Sequence, residues 1–287
     1  MSRPLAGRGG SSSRLSPRLS PRFTRGSLRG FTRGSSLGFT LIEVIVVIAV
    51  LSILASMAVP LAAKVIDQSR TEATRKQMEE IHKLIVGDPA LGTAGYVGDM
   101  GRLPQGLAQL NNRIALPWPA QPNGSSPVVF RGVKLGWWGP YINSGFNLQA
   151  YQNDAWGTPY AYGNPVAGQF RAAGPDRTMN TADDIIYPPS QVVINGSLVV
   201  HPYLWNGTAY APYQPADCPG MTMSFYYSSN GTQASDPKPA GPPPYTFIRH
   251  SGLHAVEATC TAPAATGRAV VLVPGNNQVT SLNLYLR

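Results

Sequence analysis

Residues 39–63 form an apolar run carrying one formal charge, Glu43, and the next charged residue is Lys64. About 25 helical residues at about 1.5 Å each reach roughly 37 Å, enough to cross a hydrocarbon core of roughly 30 Å. A carboxylate near one end of such a run is costly in lipid and therefore marks function. A secretory signal peptide has a shorter apolar core with its small-residue cleavage site behind it. Here the run is longer, and the small-residue junction, Gly38, lies in front of it. A plain membrane anchor accounts for the length but for neither Glu43 nor the Gly-Phe junction.

The stretch Gly38-Phe39-Thr40-Leu41-Ile42-Glu43-Val44 resembles the class III leader of type IV pilins and type II secretion pseudopilins. The resemblance implies that a prepilin peptidase cuts after Gly38 on the cytoplasmic side and methylates the new N-terminus at Phe39. It makes Glu43 the family's glutamate, which pairs in a filament with the α-amine of a neighbouring subunit. An earlier Gly30-Phe31-Thr32 is followed by Arg33 and by no apolar run, so it is a decoy. Pro60 stands at the family's distance from the cut, and it removes a backbone hydrogen bond inside the apolar half, so a kink or a meltable turn is expected there.

The net charge of +9 invites a nucleic-acid reading, but the charge is not spread along the chain. Residues 1–38 hold eight Arg and no acid, which leaves 15 cations against 14 acids in the remainder. The basicity belongs to the leader, so no nucleic-acid partner is expected. Eight arginines ahead of an apolar run hold that end in the cytoplasm by the positive-inside rule. Lys64 onward then faces the periplasm or exterior. The two cysteines, Cys218 and Cys260, both lie on that side, where an oxidising compartment favours a disulfide over two free thiols.

Four segments follow: a basic cleaved leader (1–38), a transmembrane and assembly half-helix (39–63), a periplasmic head (64–189) and a β-rich C-terminal extension (190–287). The leader is low-complexity and rich in Ser, Pro and Arg, as disordered segments are. Beyond Ala63 the helix is expected to run to about Val86, with Ile66, Ala73, Ile81 and Leu84/Ile85 near one face and Glu72–Lys76 and Glu79–Lys83 as i,i+4 pairs. Gly87-Asp88-Pro89 stops it. Turn residues dominate 91–141, with a short helical candidate at 105–110.

Gly139-Pro140-Tyr141, then Asp154-Ala155-Trp156-Gly157-Thr158-Pro159-Tyr160, then an Asp-rich loop ending in Asp183-Asp184-Ile185 together resemble the body of the major type II pseudopilin. The resemblance covers about 38–187. A hairpin is expected after Tyr160, running through Phe170. Beyond Pro188-Pro189, Asn195-Gly196 and Asn206-Gly207 each signal a hairpin. Further strands are expected at 225–227, 255–258, 269–273 and 279–286, with a proline-rich connector at 237–244. The fold class is α+β, a long helix on a small antiparallel sheet followed by the β-rich extension.

Asp176, Asp183 and Asp184 cluster on one turning loop, the kind of oxygen-rich setting that Ca²⁺ takes. On spacing alone, an ordinary solvated turn is the better reading. The resemblance implies calcium there, although Arg177 stands where the family commonly has glycine. His250 and His254 read as surface or structural residues, since no Cys or carboxylate stands near them at ligand spacing. No nucleophile–base set appears, so no enzyme is expected. Trp118, Trp137, Trp138, Trp156 and Trp205 read as packing residues, with a carbohydrate- or surface-binding face as the alternative. The reading is a structural subunit of a type II secretion pseudopilus or related pilus-like filament. Its implied partners are prepilin peptidase/methylase, other copies and other pseudopilins, and an inner-membrane assembly platform. The alternative is a minor tip subunit that binds through its C-terminal extension.

Overall fold

The computed structural model describes residues 38–112, 128–142, 151–163 and 166–287. The basic leader through 37 and Trp118 lie outside the described residues. The chain divides into two compact units, one ending at Ser56 and the other spanning Met57–Arg287. Helix α1 (Leu41–Val86) is 46 residues long, or roughly 69 Å. In the first unit its large apolar side chains, from Leu41 to Leu54, are exposed throughout.

In the second unit the helix is amphipathic, and its buried residues are Thr74, Met78, Ile81 and Ile85. That stripe corrects the one expected from sequence. Ile66 is 51% exposed and Ala73 faces out, while Thr74 and Met78 take the inward places. The reason is that the head reaches the helix at Asp67 and buries it fully only from Thr74 onward, through polar as well as apolar contacts. Glu79 and Lys83 pair at 2.8 Å, as their spacing predicts. The helix ends at Val86, where the glycine–proline stop was expected.

Short elements follow. Helix α2 (Gly95–Met100), which the turn-rich sequence did not suggest, is followed by a 3₁₀ turn at Leu107–Leu110 in place of the expected helical candidate. Strands β1 (Val128–Phe130) and β2 (Val133–Leu135) form a hairpin. Strands β3 (Ala161–Tyr162), β4 (Phe170–Ala172) and β5 (Ile185–Tyr187) form a three-stranded antiparallel sheet, including the hairpin expected through Phe170. Around α1 and this sheet lies a core containing Met78, Ile81, Ile85, Tyr96, Leu110, Trp156 and Phe170.

The remainder is two four-stranded sheets. One holds β6 (Asn195–Trp205) between β10 (Tyr245–His250) and β13 (Val279–Leu286), with β7 (Tyr210–Pro212) on the far end of β6. The other runs β12 (Ala264–Val273), β11 (Gly252–Thr261), β8 (Thr222–Ser229), β9 (Thr232–Lys238). Their inner faces share a core of Leu198, Val200, Phe247 and Leu284 from the first with Met223, Phe225, Val256 and Val273 from the second. Phe225 and Phe247 stack across it at 4.9 Å. The architecture is α+β.

Two local expectations fail here. Asn195-Gly196 is no hairpin turn; it opens one continuous strand, β6. Gly196 is required for another reason, since a Cβ there would run into the carbonyl of Pro274. The proline-rich connector also begins later than expected, because Pro237 and Lys238 belong to β9, an edge strand where a missing N–H costs no ladder bond. Asn206-Gly207 does turn the chain, with the Asn206 carboxamide accepting from the Thr208 and Ala209 amides. Cys218 and Cys260 are joined in a disulfide between the β7–β8 connection and the end of β11.

Candidate functional site

The first candidate is the start of α1. Gly38, Phe39 and Thr40 are non-helical and exposed, and the helix opens at Leu41. The Thr40 hydroxyl accepts from the Glu43 amide at 3.3 Å, and the Thr40 carbonyl accepts from Val44 at 3.2 Å. This is an N-cap, and Thr40-x-x-Glu43 has the spacing of a capping box. The sequence held that signal, but the leader motif absorbed the same residues. Glu43 thus lies in the first turn, where a carboxylate interacts favourably with the helix dipole. Phe39 is 79% exposed, and Pro60 lies inside α1. An 18-residue window of α1 has a mean hydropathy of 2.8 and none of it is buried, so the helix is long and apolar enough to cross a membrane.

The second candidate is the Asp-rich loop between β4 and β5. Asp183 accepts from the Asp176 amide at 3.1 Å and from the Thr181 hydroxyl at 2.8 Å. Asp176 accepts from the Thr178 amide at 2.7 Å. Asp184 shares the Thr181 hydroxyl at 3.3 Å, and its other oxygen takes Arg171 Nη1 at 2.6 Å and the Asn180 amide at 2.8 Å. Burial pushes the Asp184 carboxyl up, but Arg171 and the loop amides outweigh it and hold the group below its ordinary range. Hydrogen bonds from Thr181 and the Asp176 amide likewise lower Asp183. Among the described residues no three His, Cys, Asp or Glu side chains converge as a metal cage would need. Arg177, exposed and in the left-handed region at φ 56°, occupies a conformation that suits glycine.

The Asp154 block has a different task. Asp154 Oδ1 accepts from the Trp156 and Thr158 amides, which closes a tight turn. That turn presents Trp156 to Asp67, the Ala155 amide to Thr74 and, further on, Tyr160 to Gln77, all on α1. The Trp137-Trp138 pair is similarly spent on packing and backbone carbonyls, at Gln109 and Leu135.

The extension is bonded to the head rather than appended to it. The Ser228 hydroxyl donates to the Asp99 carbonyl at 2.5 Å, and Gly231 donates to Met100 at 2.9 Å. Gly98 and Gly252 face each other so closely that a Cβ on Gly252 would meet Gly98 Cα at 2.5 Å. His250 and His254 are buried in this region. The His250 ring nitrogens lie 2.9 and 2.7 Å from the Ser251 and Ser228 carbonyls, and His254 Nε2 lies 2.8 Å from the His250 carbonyl. Burial lowers both, His254 to about 3. They are structural and not at the surface. On the outer face of the β10-β6-β13 sheet, Tyr203, Trp205, Tyr210 and Tyr285 form a row of rings 5.0–5.3 Å apart.

Residues 33–59 match the family model described as the prokaryotic N-terminal methylation motif. The chain carries the type IV pilin and pseudopilin signature. The motif implies prepilin peptidase processing and pilin-type assembly, and it is a structural motif rather than that of an enzyme family. The apolar half of α1, which the motif largely spans, fits a single-pass membrane anchor. No curated protein and no solved structure matches the chain.

Proposed function

We propose that the chain is a structural subunit of a type II secretion pseudopilus or a related pilus-like filament. The observation that carries this reading is the methylation motif at residues 33–59, which takes in the bare apolar start of a helix whose later turns are packed into a head. Processing after Gly38 gives a Phe39 amine one helical turn from Glu43. The apolar half holds the subunit in the inner membrane, with the leader cytoplasmic and the head periplasmic, until it joins the filament. Assembly then re-buries that half against the same half of other subunits, driven by an inner-membrane platform and a cytoplasmic ATPase, the machinery that the pilin resemblance implies. The test is intact-mass and N-terminal analysis of the membrane protein, which should begin at N-methyl-Phe39. A mature chain that keeps its arginines, or that begins after Ala63, sinks the reading.

A second reading is a minor tip subunit that grips a substrate, sugar or surface through residues 190–287. It draws on the Tyr203, Trp205, Tyr210 and Tyr285 row, of which Tyr285 is 51% exposed and Tyr210 40%. Exposed aromatic clusters are a usual device of binding faces. Subunit counts in sheared filaments separate the two readings, since a major subunit dominates such material and a tip subunit is rare in it.

A further inference from the structure

Three carboxylates on one short loop repel each other unless something positive answers them. Sequence resemblance supplies calcium for that purpose, but the arrangement of the side chains supplies a residue. Arg171, in the middle of β4, reaches Asp184 at 2.6 Å, and the two side chains are 14% and 3% exposed. Asp184 is the one acid of the three that is carried inward, and it belongs to the Asp183-Asp184-Ile185 end of the loop, which runs directly into β5. The other two acids bond only within the loop, to its amides and to the Thr181 hydroxyl, which also lies 3.3 Å from the second oxygen of Asp184.

We propose that Arg171 is the resident cation of this loop, so that the β4–β5 connection holds its shape without a metal ion. The guanidinium places a fixed positive charge on the sheet side of the loop. Asp184 answers it with one oxygen that also accepts the Asn180 amide, and so ties the turn to the strand. Arg177, the cation that stands within the loop sequence, is exposed and plays no such part. A guanidinium cannot lose its charge in the physiological range, so the lock is permanent where a metal site would be conditional. This inference goes beyond the filament reading and stands without it.

The experiment is thermal melting of the full chain in detergent micelles, in millimolar CaCl₂ and in EGTA. The unaltered protein should melt at the same temperature in both. Arg171→Gln should melt lower by roughly 5–10 °C in EGTA, because removing one partner leaves a buried, uncompensated carboxylate. Millimolar Ca²⁺ should then recover part of that loss. Calcium-dependent melting of the unaltered chain overturns the proposal, and so does an Arg171→Gln protein that melts like the original or ignores calcium. If Arg171→Gln does not fold, Asp184→Asn and the double variant decide. The double variant should melt above the Asp184→Asn single, which leaves the guanidinium buried alone, and a double variant that melts lower refutes the pairing.

Discussion

Trp156 donates its indole N–H to the Asp67 carboxylate of α1 at 3.2 Å, across 89 residues of sequence. Asp154 sets that reach, because its Oδ1 fixes the Trp156 and Thr158 amides. The head therefore holds the helix through a turn and not by apolar contact alone. Asp154→Ala strands two amides of a part-buried turn, and unanswered groups of this kind cost about 1–3 kcal/mol each. Melting of the head should drop by at least about 4 °C. Trp156→Phe keeps most of the packing and loses one hydrogen bond, so it should cost only about 1 kcal/mol. Circular dichroism melts of both variants check the order. Equal losses would mean that the indole, and not the turn, holds the helix.

Much of this was legible in the sequence, and for identifiable reasons. The start of the apolar run, the helix stop after Val86, the Asn206-Gly207 turn and strand β13 follow from local chemistry: an uncharged run, a helix-breaking glycine–proline pair, a turn dipeptide, alternating apolar positions. The misses are tertiary. Thr74 and Met78 replaced Ile66 and Ala73 on the buried face because where the head touches α1 is decided by Asp154 and Trp156, some 80 residues away. Asn195-Gly196 looked like a turn because glycine permits one, whereas Gly196 is there to pass the Pro274 carbonyl. Asp184 carried no sign in the sequence that its side chain would reach Arg171 on the neighbouring strand.

Asp99 offers a pH test. It is 6% exposed, it accepts from the Tyr141 hydroxyl at 2.8 Å, and its carboxyl is pushed up to about 6, mainly by burial. An acid with a raised folded pKa contributes stability that is fully present below its unfolded value of 3.8 and is lost as pH rises through about 6. Asp99→Asn should therefore stabilise the protein above pH 6, by about 1–2 kcal/mol, and change little near pH 4. His250 and His254 act in the opposite sense, since their lowered values mean stability lost as pH falls below 6.5. The quantity to follow is the difference in melting temperature between variant and original from pH 4 to 8, in which the histidine contribution cancels. A difference that does not grow with pH removes the buried-acid account.

The Cys218–Cys260 bond closes 42 residues around β8–β10 and ends on two buried positions. In the chain-entropy model a loop of that size contributes about 3–4 kcal/mol. Replacing both cysteines with alanine should lower the melting temperature of the unit that spans Met57–Arg287 by roughly 6–16 °C while leaving processing at Gly38 intact. Thiol labelling of denatured, unreduced protein checks the bond itself. Quantitative labelling at both positions would contradict it, and with it the export of this part of the chain.

Glu43 separates assembly from insertion. It lies one turn inside the helix that Thr40 caps, exposed, with the bare apolar surface of α1 continuing behind it. In lipid a carboxylate is a burden, at about 2.5–3.5 kcal/mol for a charge at the centre of a span and less near its end. Glu43→Val should therefore insert at least as well as the original and be cut after Gly38 as before. What it loses is the partner for the Phe39 amine of a neighbouring subunit. Breaking one side of such a desolvated pair leaves the other charge uncompensated, at about 3–5 kcal/mol, enough to lower subunit affinity 100-fold or more. Filament yield in sheared preparations should fall accordingly, with normal amounts of processed subunit left in the membrane. Thr40→Val is the control, since it removes the cap but keeps the charge. It should cost about 1 kcal/mol of helix stability and reduce assembly far less. If Glu43→Val enters filaments as readily as the original, the carboxylate serves only as a first-turn charge on α1, and the amine of Phe39 must find its partner elsewhere.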